Sequence, residues 1–399
     1  MRTSKSFSAF LYIFLNSTFL IGQCFEFPQE SGYFITARGE PCVNTIVTAV
    51  PFLRITPDAR SAGMGDAGIA TSADANALHF NASKLAFSDR KAGLSLTYTP
   101  WLKGTDFDDV YLGYLSSFFK IGKKKTNVIG GSLRHFSSIE VMITDENGVL
   151  IDSVGAKEWE INTAYASKIA ENLSISISGK YIYSNLASGL QIGSDTLTSG
   201  TSIAMDLSMS YRKKIGDVGT NDFIFIGATL SNLGTKIIYT NPDVEDFIPA
   251  NFGLGIAWNK SFNQKHLLTL TVDANKLLVQ TPDPSQADLN GNGIPDYQEA
   301  SVTRAIFTSF VDAPGGQREE LREISFSCGT EYWYNQTIAL RLGYYYESAT
   351  KGNLQYLTLG MGGRYHSLGL NISYLIPRND QSELLGNTTR VSLLYDFGD

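Results

Sequence analysis

The densest run of potential ligands is Asp288-Leu289-Asn290-Gly291-Asn292-Gly293-Ile294-Pro295-Asp296-Tyr297-Gln298-Glu299. Side-chain oxygens stand at the alternating positions Asp288, Asn290 and Asn292, and again at Asp296 and Glu299. Gly293 falls where such a loop turns sharply, and Ile294 offers a backbone carbonyl. Hard oxygen donors in this order wrap one Ca²⁺, and the final glutamate closes the shell with both oxygens. Pro282, Pro284 and Pro295 argue for a freestanding loop rather than one held between helices. Three carboxylates suit the millimolar calcium found outside cells. The competing reading is a solvated turn rich in Asn, Asp and Gly.

Other chemistry is sparse. The four histidines, His79, His135, His266 and His366, are scattered and lack the His-Glu-x-x-His spacing of a zinc site. There is neither a Gly-x-Ser-x-Gly elbow nor a phosphate-binding Gly-Lys-Ser/Thr loop. No enzyme is expected, although a Ser–His pair assembled by the fold stays open. The three cysteines, Cys24, Cys42 and Cys328, are too few for a disulfide framework and read as free thiols, with one pair as the alternative. With 32 basic and 39 acidic residues the net charge is −7, which argues against a nucleic-acid partner.

The elements that must carry these residues are strands. Leu173, Ile175, Ile177, Gly179, Tyr181 and Tyr183 alternate with Ser174, Ser176, Ser178, Lys180 and Ile182. Leu357, Leu359, Met361, Gly363 and Tyr365 alternate with Thr358, Gly360, Gly362 and Arg364. Period two means one apolar and one polar face. About fourteen such segments, each roughly nine to thirteen residues long, start near positions 92, 108, 127, 158, 172, 201, 222, 250, 265, 322, 337, 355, 367 and 388, an even number of about the length of tilted membrane-spanning strands. Short links, such as Gly122–Thr126 and Lys260–Gln264, take turns with long ones at Ser138–Lys157, Leu186–Thr201, Leu233–Pro249 and Lys276–Glu320. That layout predicts an all-β fold, a transmembrane antiparallel β-barrel in the cell outer membrane; a soluble β-sandwich is the alternative. Aromatic clusters at segment ends, Tyr332-Trp333-Tyr334 and Tyr344-Tyr345-Tyr346, fit interfacial girdles in contact with lipid. Lys180, Asp206, Asp273, Glu331, Arg341, Arg364 and Asp396 fall on the polar face and are expected in the lumen as structural ion pairs.

Residues 1–23 read as a signal peptide, with Arg2 and Lys5 ahead of an apolar run from Ala9 to Ile21. Cleavage there would leave Cys24 near the new terminus, but Gln23 is a poor residue before a lipidated cysteine. An N-terminal extension, 24–53, leads to a segment of different texture, 54–88, and the barrel occupies 91–399 with its long loop at 276–320. The segment 54–88 is rich in small residues; Asp74 is placed to cap a short helix through Leu78, and Asn81 to start a second turn. Too polar for lipid, it is expected inside the barrel as a plug of short helices near the periplasmic mouth.

The run Ile55-Thr56-Pro57-Asp58-Ala59-Arg60-Ser61-Ala62-Gly63-Met64-Gly65-Asp66-Ala67-Gly68, ahead of about fourteen strands, resembles the PorV (LptO) family, outer-membrane components of the type IX secretion system of the Bacteroidota. It is also similar to the broader FadL-type barrels, whose Asn-Pro-Ala-like motif reads Asn81-Ala82-Ser83 here. The resemblance implies a non-enzymatic role: binding C-terminal signal domains of secreted cargo and shuttling them from the translocon barrel to a surface attachment complex that includes a sortase-like protease. The alternative is a FadL-like channel for hydrophobic small molecules.

Overall fold

In the computed structural model the described residues are 24–26, 34–36, 44–100, 110–123, 125–144, 150–192, 195–216, 222–240, 244–283, 288–378 and 388–398. The signal peptide and Cys42 lie outside them. A short ladder pairs Cys24–Glu26 with Phe34–Thr36.

Fourteen strands form one closed antiparallel barrel. In chain order they are β1 (Ala92–Pro100), β2 (Tyr111–Ile121), β3 (Asn127–Thr144), β4 (Leu150–Ala170), β5 (Leu173–Asn185), β6 (Gly200–Lys214) and β7 (Phe223–Gly234). The second half comprises β8 (Asn251–Ser261), β9 (His266–Leu277), β10 (Ile324–Tyr334), β11 (Ile338–Tyr346), β12 (Gln355–Tyr365), β13 (Leu368–Pro377) and β14 (Thr389–Phe397). Each strand pairs with its sequence neighbours, and β14 closes on β1 through pairs such as Leu393↔Leu96.

The burial pattern excludes a sandwich. On β12, Leu357, Leu359 and Met361 are 42%, 47% and 63% exposed, while Thr358 is 1% exposed. The same inversion recurs around the ring, with apolar rows outside and Ser, Thr and charged side chains within, as a lipid-facing wall around a polar interior requires. Among the described residues no helix is long and apolar enough to cross a membrane.

One expected loop is mostly strand. Residues 138–144 and 150–157 continue the β3–β4 hairpin, pairing Glu140↔Gly155 through Ile143↔Asp152, with register shifts after Ser137 and Ile143. Ile139, Val141 and Ile143 alternate with Glu140 and Met142, so the period-two pattern of β3 runs on past Ser138. The fourth strand accordingly starts at Leu150 rather than near 158, and strand lengths run from 9 to 21 residues. A second irregularity sits in the wall: Met205 and Leu207 of β6 face Leu233 and Leu230 of β7, leaving two residues opposite Asp206. Asn232 takes the left-handed backbone conformation there (φ 57°), and its amide donates to the Asp206 carboxylate at 2.7 Å.

The segment ahead of β1 fills the lumen. It starts at the long-loop end of the barrel, not the short-turn end: the Ala49 amide donates to the Phe247 carbonyl at 2.8 Å, and Lys351 Nζ to the Asn44 carbonyl at 2.9 Å. Val50, Phe52, Leu53 and Ile55 are buried there against Leu112, Phe136, Ile182 and Ile237. The chain then descends through α1 (Ala59–Ala62), α2 (Ala77–Phe80) and a 3₁₀ turn (Ala82–Phe87) to the short-turn end. At that end Arg212 donates to the Phe87 carbonyl and Lys120 to that of Ser88. The plug therefore spans most of the barrel height, where the periplasmic mouth alone was expected.

Candidate functional site

Local chemistry shapes the plug. Asp58 caps α1 by accepting the Ser61 amide at 2.9 Å, and Asn81 caps the 3₁₀ turn by accepting the Ser83 amide at 3.1 Å. Asp74 does not cap α2, whose N-cap is Asn76; its carboxylate accepts the Asn76 amide and the Arg60 guanidinium instead.

The wall is notched to receive this segment. A Cβ at Gly329 would stand 2.5 Å from Met64 Cβ, and one at Gly343 would overlap the amide of Gly65. Gly63 lies against Gly360, where a Cβ would meet Cα at 3.0 Å. On the other side of the lumen, a Cβ at Gly227 or Gly253 would come within 2.7 Å of Ile69. These glycines sit in the inward phase of their strands, so the missing side chains are the space the plug occupies.

Ion pairs then tie plug to wall. Arg60 holds Glu331 with two parallel bonds of 2.9 and 2.8 Å and reaches Asp74 at 2.9 Å. Glu331 also accepts from Arg341 at 2.7 Å, and Arg341 donates to Asn371 at 3.0 Å. The Gly68 and Ile69 amides both donate to one oxygen of Asp273, at 2.7 and 2.8 Å. Arg134 donates to the Phe52 and Leu53 carbonyls at 3.0 Å each and pairs with Glu160 at 3.3 Å. Lys180 joins Asp206 at 2.8 Å and the Asn232 side chain at 2.8 Å. Of the lumen charges expected from the sequence, Lys180, Asp206, Asp273, Glu331 and Arg341 are buried in this network, while Arg364 and Asp396 pair at 3.3 Å near the short-turn rim. Buried charges are tolerated here because each meets an opposite charge or several donors.

Among the described residues the lumen holds two cavities at opposite ends of the plug. One of ≈ 180 Å³, toward the long loops, is lined by Asp66, His79, Lys180, Asp273, Glu347 and Lys351 among others. The other, of ≈ 600 Å³, opens toward the short turns and is lined by Arg60, Arg212, Trp333, Arg341 and Arg364 among others.

At the long-loop end, segments distant in sequence are braced together. Lys351 bonds Glu319 at 2.6 Å and Glu323 at 2.9 Å; Lys276 bonds Glu320 at 2.9 Å and Glu323 at 2.6 Å. Arg54 pairs with Glu347 at 3.2 Å, and the Asn44 amide group donates to Glu319 at 3.0 Å. The loop between β9 and β10 carries α3 (Asp296–Glu299), α4 (Val302–Thr308) and α5 (Gln317–Arg322), so it is a folded cap rather than a free excursion. Burial pushes the Glu319 carboxyl up, but hydrogen bonds from Lys351 and the Gly315 amide outweigh it and hold the group below its usual range. None of Lys351, Arg54 and Arg134 is marked by a motif; the wall glycines carry a faint signal, standing where a strand would place an inward side chain.

The expected calcium loop is closed on itself. Asp288 accepts the amides of Gly291, Asn292 and Gly293 at 2.8–3.1 Å, and the side-chain amides of Asn290 and Asn292 donate to the two oxygens of Glu299 at 2.7 and 2.6 Å. Asp296 accepts the Leu289 amide at 3.3 Å, and Ile294 donates its amide to the Asn292 side chain at 2.8 Å. Among the described residues no three His, Cys, Asp or Glu side chains are grouped to hold a metal. An ion in this loop would be bound in part by amide oxygens, after the Asn290 and Asn292 groups turn. Cys328 is a free, exposed thiol on the lipid-facing row of β10.

The chain's residues 39–284 match the family described as "Type IX secretion system protein PorV", more than half of its 399 residues. It belongs to the PorV family. No curated protein sequence matches it. In structure it is similar to the toluene transporter TbuX of Ralstonia pickettii, with TM-score 0.54 and 15% identity, covering 86% of this chain and 98% of that one. Weaker likenesses are to the Pseudomonas putida toluene transporter TodX (TM-score 0.46, 13% identity, 84% and 95% covered) and a Pseudomonas aeruginosa FadL homologue (0.43, 12%, 86% and 99%). What this chain and TbuX share is the fold, a closed antiparallel β-barrel. As a PorV-family barrel the chain takes part in type IX secretion, and fold and family together imply the outer membrane as its location.

Proposed function

We propose that this PorV-family barrel works as a non-catalytic docking protein: it binds the C-terminal signal domains of secreted cargo and passes them from the type IX translocon barrel to the surface attachment complex with its sortase-like protease. The observation that supports this reading is the division of the molecule into a lumen closed by a plug tied to the wall and a long-loop cap braced by Lys276, Lys351 and Arg54. A filled lumen suits a scaffold, and an ordered cap suits recognition of a folded domain. The channel reading is less well served: although Ile46, Leu53, Ile69 and Phe80 line part of the cavity toward the loops, Asp66, Lys180, Asp273 and Lys351 also face it, and the plug stands between it and the short-turn end. Deletion of the protein, followed by analysis of secreted and surface-anchored proteins, tests the proposal. Cargo bearing type IX signals is expected to be retained; normal release and anchoring would overturn it.

Calcium in the loop Asp288–Glu299 forms a second, separate proposal, supported by the ligand order and by backbone amides that already fold the chain around Asp288. Titration calorimetry of the purified barrel with Ca²⁺ is expected to show uptake that Asp288→Ala abolishes. No uptake would reject the site.

A further inference from the structure

We propose that the helix α4 and the turn after it form a membrane anchor, seated in the outer leaflet beside the barrel at the level of anionic lipid headgroups. The argument begins on β8. Cβ positions at Gly253 and Gly255 would collide with Ile69 of the plug, so these residues face inward and their neighbours face out. Leu254 and Ile256 are accordingly 47% and 50% exposed on the lipid side. Phe252 belongs to the same outward row, at the long-loop end of the strand. Its ring meets that of Phe310 edge to face, with centroids 6.3 Å apart.

The loop therefore reaches over the rim and touches the outer wall. Phe307, three residues before Phe310, is 75% exposed, and Val311 is 81% exposed. The opposite side of α4 is occupied: Ala305 is buried in a small core with Phe247, Val279 and Ala300, and Ser309 is fully buried. The apolar shoulder is thus held on a fixed helix rather than left on a mobile tip, and it prolongs the lipid-facing row of β8 upward.

The charges nearby fit the same surface. Arg304, Arg318 and Arg322 are exposed, whereas Glu319 and Glu320 are buried against Lys351 and Lys276. The exposed charge on α4 and α5 is basic. Aromatic and aliphatic side chains beside arginines are the composition of an interfacial helix on an anionic bilayer. Continuity with the wall chooses lipid over a second protein as the occupant.

Spin labels test this on the full barrel with Cys24→Ser, Cys42→Ser and Cys328→Ser, reconstituted in phosphatidylcholine–phosphatidylglycerol vesicles. Labels at Phe307→Cys and Val311→Cys are expected to be relaxed more by oxygen than by a water-soluble nickel chelate, and a label at Leu289→Cys in the same loop the reverse. Nickel access at 307 and 311 equal to that at 289 would overturn the proposal, as would shielding from both reagents, which marks a protein neighbour. The labels are expected to lie deeper in the anionic vesicles than in pure phosphatidylcholine; equal depth would overturn the assignment to anionic headgroups. A Phe307→Asp, Val311→Asp double variant supplies a second reading. It is expected to melt like the parent in detergent and lower than the parent in vesicles; an unchanged melt in vesicles would overturn the anchor.

Discussion

The lumen and the long-loop cap solve the same problem, holding irregular backbone in place, with opposite resources. In the lumen the plug is gripped on all sides: glycine notches admit its backbone, and Arg60, Glu331 and Arg341 form a buried chain of charges. At the cap, two lysines gather three glutamates from the β9–β10 loop, and apolar side chains such as Phe307 remain outside. The lumen spends its polar groups on itself. The cap satisfies its own charges and still presents surface, which is what separates a support from a contact region.

Glu331→Ala attacks the first half of that contrast most directly. It leaves two buried guanidinium groups without their shared partner, a loss of about 3–5 kcal/mol. Thermal unfolding of the reconstituted barrel is expected to fall, and the plug to become sensitive to added protease. Gly343→Ala asks whether shape matters as much as charge. Its methyl would overlap the Gly65 amide, and overpacking of this kind costs about 1–3 kcal/mol. The barrel is expected to assemble with a displaced plug, read as new protease cleavage within residues 58–88; an undisturbed plug would show that the notches are not its seat.

Lys351→Met sharpens the other half. It removes the bonds to Glu319 and Glu323 and the one to the Asn44 carbonyl, and leaves the buried Arg60–Glu331–Arg341 chain intact. Faster hydrogen exchange in the β9–β10 loop is expected, with barrel melting close to the parent. The smallest effect is one of pH. Burial raises the Asp246 carboxyl, against the pull of Lys236, from its usual 3.8 to about 6. The protonated form is favoured in the folded loop, so its stabilisation is full below pH 3.8 and is lost as the pH rises through about 6. Hydrogen exchange of residues 244–250 is expected to quicken across that interval, and Asp246→Asn to flatten the dependence.

Which parts were legible in the chain follows from where lipid imposes a rule. Within the bilayer the outward row is mostly apolar, so Leu357, Leu359 and Met361 announce a strand and nearly all the segment starts fall within a few residues of those observed. The paired extension of β3 and β4 reads as a loop because polar residues such as Asp145, Glu146 and Asn147 follow it, although Ile139, Val141 and Ile143 keep the strand period. The lumen charges were legible as a face but not as pairs, because Arg60 and Glu331 are 271 residues apart and only closure of the ring brings them together. The height of the plug was misjudged for a related reason: residues 44–55 carry no mark of which end of the barrel they meet, and their partners Phe247 and Glu347 lie far along the chain.

That path has a consequence for how the molecule is made. Residues near Asn44 emerge among the long loops, whereas β1 begins at the opposite end, at Ala92. The polypeptide is therefore a thread through a ring of which it is itself the first stave. Pairing of β14 with β1 closes the ring around that thread. A marker placed just ahead of residue 44 would be displayed on the long-loop side, at the opposite mouth from the start of β1.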